Sequence, residues 1–169
     1  ANRVVKEAAK TVMSGPASGV IAAAYTGRRA NRPNLISYDM GGTSTDVALI
    51  RDCRPSVSNE IEIEYAMPIH VPMVDVRTIG AGGGSIARVN EAGLLEVGPQ
   101  SAGADPGPIC YGRGGELPTI SDANMVLGRL DVGKLKSVPG AVGIDNIRAI
   151  FQTRLGDPLG VDAETAAAA

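Results

Sequence analysis

The run Asp39-Met40-Gly41-Gly42-Thr43-Ser44-Thr45-Asp46 gathers two aspartates, two glycines and three hydroxyl residues into one short stretch. Glycine lets a backbone approach a ligand closely and turns consecutive N–H groups outward. Thr43, Ser44 and Thr45 add hydroxyl donors at the same spot. A carboxylate at Asp39 suits Mg²⁺, which takes oxygen ligands and keeps several waters. Together these groups have the chemistry of a Mg-nucleotide phosphate site. A plainer reading stands beside it, because Asp-x-Gly-Gly also closes β-hairpins. The longer pattern, set between Leu35-Ile36-Ser37-Tyr38 and Val47-Ala48-Leu49-Ile50, favours the phosphate site. The run is not a Walker A loop, since no Gly-Lys-Ser/Thr follows. Nor is it a dinucleotide fingerprint, since a second strand follows where a helix is required.

Gly80-Ala81-Gly82-Gly83-Gly84-Ser85 is a second candidate. Its N–H groups suit a nucleotide or an anionic intermediate, and Gly82, Gly83, Gly84 and Ser85 are the expected contacts. The alternative is a connector, or a place where two backbones pack closely. His70 is the only histidine, and its spacing to Asp75 matches no metal-ligand motif. Asp122 and Asn124 open an expected helix, where capping competes with a functional role. Cys110 lies in a Gly/Pro-rich stretch with no histidine near it in sequence, which reads as a structural thiol rather than a nucleophile.

The elements that must position these groups are legible in outline. Pro16 to Tyr25 reads as a helix capped by Ser14 or Gly15, with Gly27 just past its end. The phosphate run is flanked by strands. Ile61, Ile63 and Tyr65 alternate with Glu60, Glu62 and Glu64 as a half-wet strand. Val71 to Ile79 reads as a strand leading into the glycine loop, and Leu94 to Val97 as a short strand. Residues 98 to 119 show no periodicity. Ser121 is placed as the cap of a helix reaching Arg129. A last amphipathic helix starts at Asp145, buries Ile147, Ile150 and Phe151, and is expected to stop at Gly156-Asp157-Pro158. The order points to an α/β fold, a mixed sheet with flanking helices.

At 169 residues the chain reads as one domain long enough to bury a core. It is 44% hydrophobic and 20% charged, with a net charge of −2 and scattered Lys and Arg, which argues against a nucleic-acid surface. One Phe, four Tyr and no Trp leave no stacking platform for single strands. Two cysteines without a C-x-x-C fit free thiols in a reducing cytosol. No apolar stretch reaches the ~18 residues of a membrane span, so neither a membrane nor a nucleic acid is an expected partner. The abrupt start at Ala1 and the ending Glu164 to Ala169 read as an excised piece of a larger subunit.

The phosphate run is similar to those of the actin, Hsp70 and sugar-kinase ATPase superfamily, with its ribonuclease H-like fold. Further stretches narrow the likeness: Ser14-Gly15-Pro16-Ala17-Ser18-Gly19, Thr78 to Ala87, Val97 to Ala104, Pro106-Gly107-Pro108, Cys110-Tyr111-Gly112 and Ser121-Asp122-Ala123-Asn124. From about Met13 to Phe151 their order resembles the hydantoinase A/5-oxoprolinase family, which includes N-methylhydantoinase A and acetone carboxylase subunits. The resemblance implies half of an actin-like ATPase domain carrying the second of two phosphate loops. It implies that Asp39 binds the water shell of Mg²⁺ and that Gly41, Gly42, Thr43 and Ser44 contact the β- and γ-phosphates of ATP. Asp46 is the other catalytic candidate; orienting Thr43 or Thr45, or pairing with Arg51, are its structural alternatives. The implied parent uses ATP to phosphorylate a hydantoin, 5-oxoproline or small ketone before hydrolysis or carboxylation. It would act with the remainder of its own subunit and a hydantoinase B-type partner. A nucleotide-binding switch of the actin/Hsp70 type is the alternative.

Overall fold

The computed structural model describes residues 14–58, 61–63, 67–69, 73–134, 138, 140 and 142–169. His70 lies outside the described residues, as do Glu60, Glu64 and Tyr65 of the expected wet-faced strand. Where the sequence reads as one continuous domain, the residues sort into two compact units. The first joins Ala1–Asp39 to Asp46–Ile79, and the second joins Met40–Thr45 to Gly80–Ala169.

In the first unit, helix α1 spans Ser14–Arg29, with Arg28 and Arg29 in its last turn, where cations complement the helix dipole. It runs past the stop expected at Gly27. Gly27 is buried within the helix, and a Cβ there would run into the Leu35 side chain and the Arg32 carbonyl. The residue therefore serves close approach rather than termination. The chain leaves the helix only at Asn31, where φ is 54°.

Strands β1 (Leu35–Met40), β2 (Thr45–Arg51) and β3 (Arg54–Pro55) lie side by side in that order, and β8 (Arg77–Ile79) also pairs with β2. Between β2 and β3, Asp52 and Cys53 both have positive φ, 52° and 58°, as a type I′ hairpin requires. The Asp52 N–H donates to Asn34 Oδ1 at 3.1 Å and the Cys53 N–H to the Pro33 carbonyl at 2.8 Å, which holds two non-glycine residues in that conformation. Two small antiparallel ladders follow. β4 (Val57–Ser58) pairs with β7 (Met73–Val74), and β5 (Ile61–Ile63) with β6 (Met67–Ile69). The expected strand from Val71 to Ile79 is thus two short pieces, β7 and β8. Val20, Ala24, Ala48 and Ile50 form the unit's buried core.

In the second unit, β9 (Ser85–Val89) and β10 (Leu95–Ser101) pair antiparallel, Val97 opposite Ala87 and Leu95 opposite Val89. Their turn is organised by Asn90, whose Oδ1 accepts from the N–H groups of Ala92 and Leu94, both at 3.0 Å. The aperiodic stretch after β10 carries a 3₁₀ turn, Ile109–Tyr111, which buries Ile109 and Cys110. Helix α2 spans Ile120–Val126 and is capped by Thr119, not Ser121. Thr119 and Asp122 form the reciprocal capping box, which sets the start two residues earlier than read from Ser121.

Helix α3 (Ile144–Phe151) does bury Ile147 and Phe151, but Gly156-Asp157-Pro158 does not stop it. The helix widens into a π turn over Gln152–Gly156, with the Asp157 N–H reaching back to the Gln152 carbonyl. Pro158 then opens a short α segment, Asp157–Leu159, at a position where its missing N–H is tolerated. Gly160, at φ 71°, ends the path. Helix α4 (Ala163–Ala168) begins at Asp162, whose carboxylate accepts from the Thr165 N–H at 2.7 Å. Ile109, Cys110, Val126, Ile147, Phe151, Leu155, Ala163 and Ala166 make the core of this unit.

Candidate functional site

The phosphate run is split by its neighbours. Asp39 and Asp46 belong to the first unit, whereas Met40–Thr45 packs with the second. Asp39, the next-to-last residue of β1, is exposed and has no hydrogen-bond or ion-pair partner among the described residues. On α1, a Cβ added at Gly19 would stand 3.6 Å from Asp39 Oδ2. Asp46 Oδ1 accepts from Thr78 Oγ1 at 2.7 Å, which ties β2 to β8. Its partner is therefore neither Thr43, Thr45 nor Arg51, the partners expected from sequence.

Within the second unit the turn is closed by Gly41 N–H donating to the Ser44 carbonyl at 2.8 Å. The glycine loop then grips it. The Gly83 N–H donates to the Gly41 carbonyl at 2.9 Å and the Gly84 N–H to the Gly42 carbonyl at 2.6 Å. Thr45 Oγ1 donates to the Ala81 carbonyl at 2.5 Å. The Gly82 N–H donates to Ser85 Oγ at 2.8 Å, and the Ser85 N–H returns to the Gly82 carbonyl at 2.9 Å.

These bonds correct two expectations. The N–H groups of Gly82, Gly83, Gly84 and Ser85 are not free for a ligand, because every one donates inside the protein. Thr45 and Ser85 are 1% and 0% exposed with their hydroxyls bonded internally, so they brace the turn rather than face solvent. Glycine is needed here for closeness: a Cβ on Gly82 would stand 2.6 Å from the Ser44 nitrogen, and one on Gly84 2.8 Å from the Gly42 carbonyl.

Gly41, Gly42 and Thr43 are exposed, and the N–H groups of Gly42, Thr43 and Ser44 have no partner among the described residues. A cleft of ≈ 470 Å³ adjoins the turn, lined by Met40, Gly41, Gly42, Gly83, Tyr111, Ser121, Asn124, Arg129 and Leu130. Asn124, read from sequence as a residue where capping competes with a functional role, lies in this lining, whereas Tyr111 and Arg129 were not singled out as ligand contacts; an isolated arginine after a helix carries no motif. A larger cleft of ≈ 570 Å³, with Ile109, Val142 and Ile150 among its lining, contains none of the phosphate-run residues. Chemistry rather than size therefore selects the smaller one.

Asp122 is fully buried and spent. Its carboxylate accepts from the N–H groups of Cys110 (2.7 Å), Thr119 (3.0 Å) and Ile109 (3.2 Å) and from Thr119 Oγ1 (2.7 Å). It is an anchor for the 3₁₀ turn and for α2, which resolves its competing readings towards structure. Burial pushes the Cys110 thiol well above the ordinary range, and the neighbouring Asp122 carboxylate adds to the shift. In native protein at pH 8, alkylation followed by peptide mass spectrometry is expected to label half-buried Cys53 and leave Cys110 unmodified until denaturant is added. Labelling of Cys110 at a rate matching Cys53 would contradict its placement in the core.

The hydantoinase/oxoprolinase family model matches residues 1–169. The chain belongs to the hydantoinase/oxoprolinase family. Its relatives in that family include caprolactamase subunit alpha of Pseudomonas jessenii, 42% identical over 96% of this chain and 23% of that protein. The 5-oxoprolinase of Saccharomyces cerevisiae is 48% identical over 72% of this chain and 9% of the enzyme. Among solved structures, nucleotide-free acetone carboxylase, described as catalysing ATP-dependent acetone carboxylation, matches with a TM-score of 0.82 at 35% identity, over 96% of this chain and 23% of that one. The chain thus spans less than a quarter of the length of these hydantoinase/oxoprolinase relatives. The α/β reading as part of an actin-like ATPase fold is borne out by that match. Among the described residues, no cluster of three or more His, Cys, Asp or Glu side chains is arranged to hold a metal, and no helix is long and apolar enough to cross a membrane.

Proposed function

We propose that the whole protein carrying this chain is an ATP-dependent hydrolase or carboxylase acting on a cyclic amide or small ketone, and that the Gly41–Ser44 turn holds the nucleotide phosphates. The observation that supports this reading is the turn itself: three N–H groups with no partner among the described residues, on a backbone held by the Gly83 and Gly84 N–H groups. Phosphoryl transfer rests on positioning and charge neutralisation, and a braced row of donors supplies the first. The donor set also fits Mg²⁺, because a lone carboxylate with water and phosphate oxygens is its usual company and no protein cage is needed. Asp39 is the residue that would hold that ion through its waters. ATP supplies a transferable phosphoryl group that converts a carbonyl oxygen into a leaving group.

The protein's own contributions are then separable. The N–H groups of Gly42, Thr43 and Ser44, with the hydroxyls of Thr43 and Ser44, orient the phosphates. Gly82, Gly83, Gly84, Thr45 and Ser85 fix the turn, and Asp46 fixes β2 through Thr78. The rest of the subunit and a second, hydantoinase B-type subunit supply the remainder of the site; the relative named caprolactamase subunit alpha supports a multi-subunit enzyme.

Titration of Mg-ATP and Mg-ADP into the full-length protein tests the reading. Micromolar binding is expected for wild type. Asp39→Ala should weaken it by about 10- to 100-fold, the equivalent of a charge-assisted contact of about 1.5–3 kcal/mol. ATP hydrolysis stimulated by 5-oxoproline, caprolactam, hydantoin or acetone would name the substrate class. Slow hydrolysis indifferent to all four would favour a switch, and absence of nucleotide binding in wild type would end the proposal.

A further inference from the structure

The cleft beside the phosphate turn contains one charged group and one hydroxyl that the fold leaves without a partner. Among the described residues Arg129 is the only charged one in its lining, and no carboxylate lines it. The Arg129 guanidinium makes no hydrogen bond or ion pair among the described residues. Its backbone is nevertheless fixed: the N–H groups of Arg129 and Leu130 both donate to the Asn124 carbonyl, at 2.8 and 3.1 Å, after a reversal at Gly128 with φ 68°.

Ser121 is 9% exposed, yet its hydroxyl has no partner among the described residues. That hydroxyl is not sealed in the interior, since no buried side-chain oxygen or nitrogen among the described residues lacks a partner; Ser121 lines the cleft, where a ligand can reach it. Its position is set by the glycine loop. The Ser121 N–H donates to the Gly83 carbonyl at 2.8 Å, and a Cβ on Gly83 would stand 2.9 Å from Ser121 Oγ. Gly83 in turn grips the Gly41 carbonyl at 2.9 Å. One backbone therefore places both the phosphate turn and the Ser121 hydroxyl on the wall of a single cleft.

We propose that Arg129 and Ser121 add contacts to the terminal phosphoryl group of the nucleotide, the group that is transferred, beside the Gly41–Ser44 turn that holds the nucleotide phosphates. This rests on the nucleotide-binding reading given above. The guanidinium is the cation best suited to phosphate because its planar fork donates two parallel bonds. A group whose charge spreads over its outer oxygens during transfer needs such a cation on the side away from the phosphate loop. The volume of ≈ 470 Å³ leaves room for a small acceptor beside that group.

The test compares AMP-PNP with ADP, each with Mg²⁺, by calorimetric titration into the full-length protein. No substrate is needed. Arg129→Ala is expected to weaken AMP-PNP by about tenfold or more while ADP stays within about twofold, since only the former carries the third phosphate. Arg129→Lys should recover part of the loss by restoring charge without the fork, and Ser121→Ala should show the same selectivity at smaller size. Because the Arg129 side chain is exposed and unpaired, the melting temperature of Arg129→Ala should match wild type, which separates a binding effect from misfolding. Equal losses for both nucleotides would overturn the proposal, as would Arg129→Ala binding AMP-PNP as tightly as wild type. Failure of wild type to bind either nucleotide would overturn the underlying reading as well, a different result from a wild type that binds both and a variant that matches it.

Discussion

Gly82→Ala is expected to remove tight nucleotide binding while leaving the protein folded. The added Cβ would meet the Ser44 nitrogen at 2.6 Å, the Thr43 carbonyl carbon at 2.7 Å and the Gly41 oxygen at 2.8 Å. All three are backbone atoms of the phosphate turn, so no side-chain rotation relieves the contact. The turn has to move away, and it carries the Gly42, Thr43 and Ser44 N–H groups with it. A misplacement of about 1 Å costs about 100-fold in the rate of a positioned reaction, and N–H donors moved out of hydrogen-bond reach lose their share of the binding energy as well. The stability cost should be smaller, about 1–3 kcal/mol, the usual range for overpacking. Gly143→Ala is the matched control, because a Cβ there meets nothing within 4 Å and φ is −60°. Mg-ADP titration together with thermal melting of both variants reads the two effects apart. If Gly82→Ala bound ADP like wild type, the contact between the two loops would not be what places the turn.

Asp122→Ala is expected to be the most destabilising single change in the second unit, by about 3–5 kcal/mol. The carboxylate satisfies donors from two separate segments, the 3₁₀ turn and the cap of α2, at 2.7–3.2 Å. Truncation orphans the N–H groups of Ile109, Cys110 and Thr119 in a site with no access to water, each at about 1–3 kcal/mol before relaxation. It also releases Ile109 and Cys110, which belong to the core with Phe151 and Leu155. Asp122→Asn should be damaging too, because one of its two polar atoms becomes a donor facing donors. A lowered denaturant midpoint at unchanged slope is the expected signature. An unchanged midpoint in Asp122→Ala would show that these four bonds contribute nothing net.

The chemistry of the phosphate run was legible because it is local. Glycines, hydroxyls and an aspartate within one turn declare themselves by spacing, and β1 and β2 followed from apolar runs on either side. The glycine loop was recognised but its use was not, because whether an N–H is free depends on what packs against it. Gly83 and Gly84 spend theirs on carbonyls far away in sequence. Arg129 and Tyr111 were invisible as ligand contacts for the same reason, since only the folded chain brings them to the cleft. Helix ends failed in a consistent way. Gly27 and Gly156 looked like stops, but one is a close-approach residue and the other lies in a widened turn. At α2 a nearby Thr–Asp box outcompeted the serine read as its cap.

The brace on the phosphate turn also fixes an order of events during synthesis. Met40–Thr45 leaves the ribosome early, then the chain spends Asp46–Ile79 on the other unit before Gly80–Ser85 arrives. Until then the Gly41 and Gly42 carbonyls lack the donors that seat them, and a nascent chain has the turn's residues without its shape. Closing that long loop costs chain entropy that local contacts do not repay. A ligand that recognises the seated turn alone thus arrives only after the second unit has condensed, and by mass action it holds the late-forming part of the protein in place.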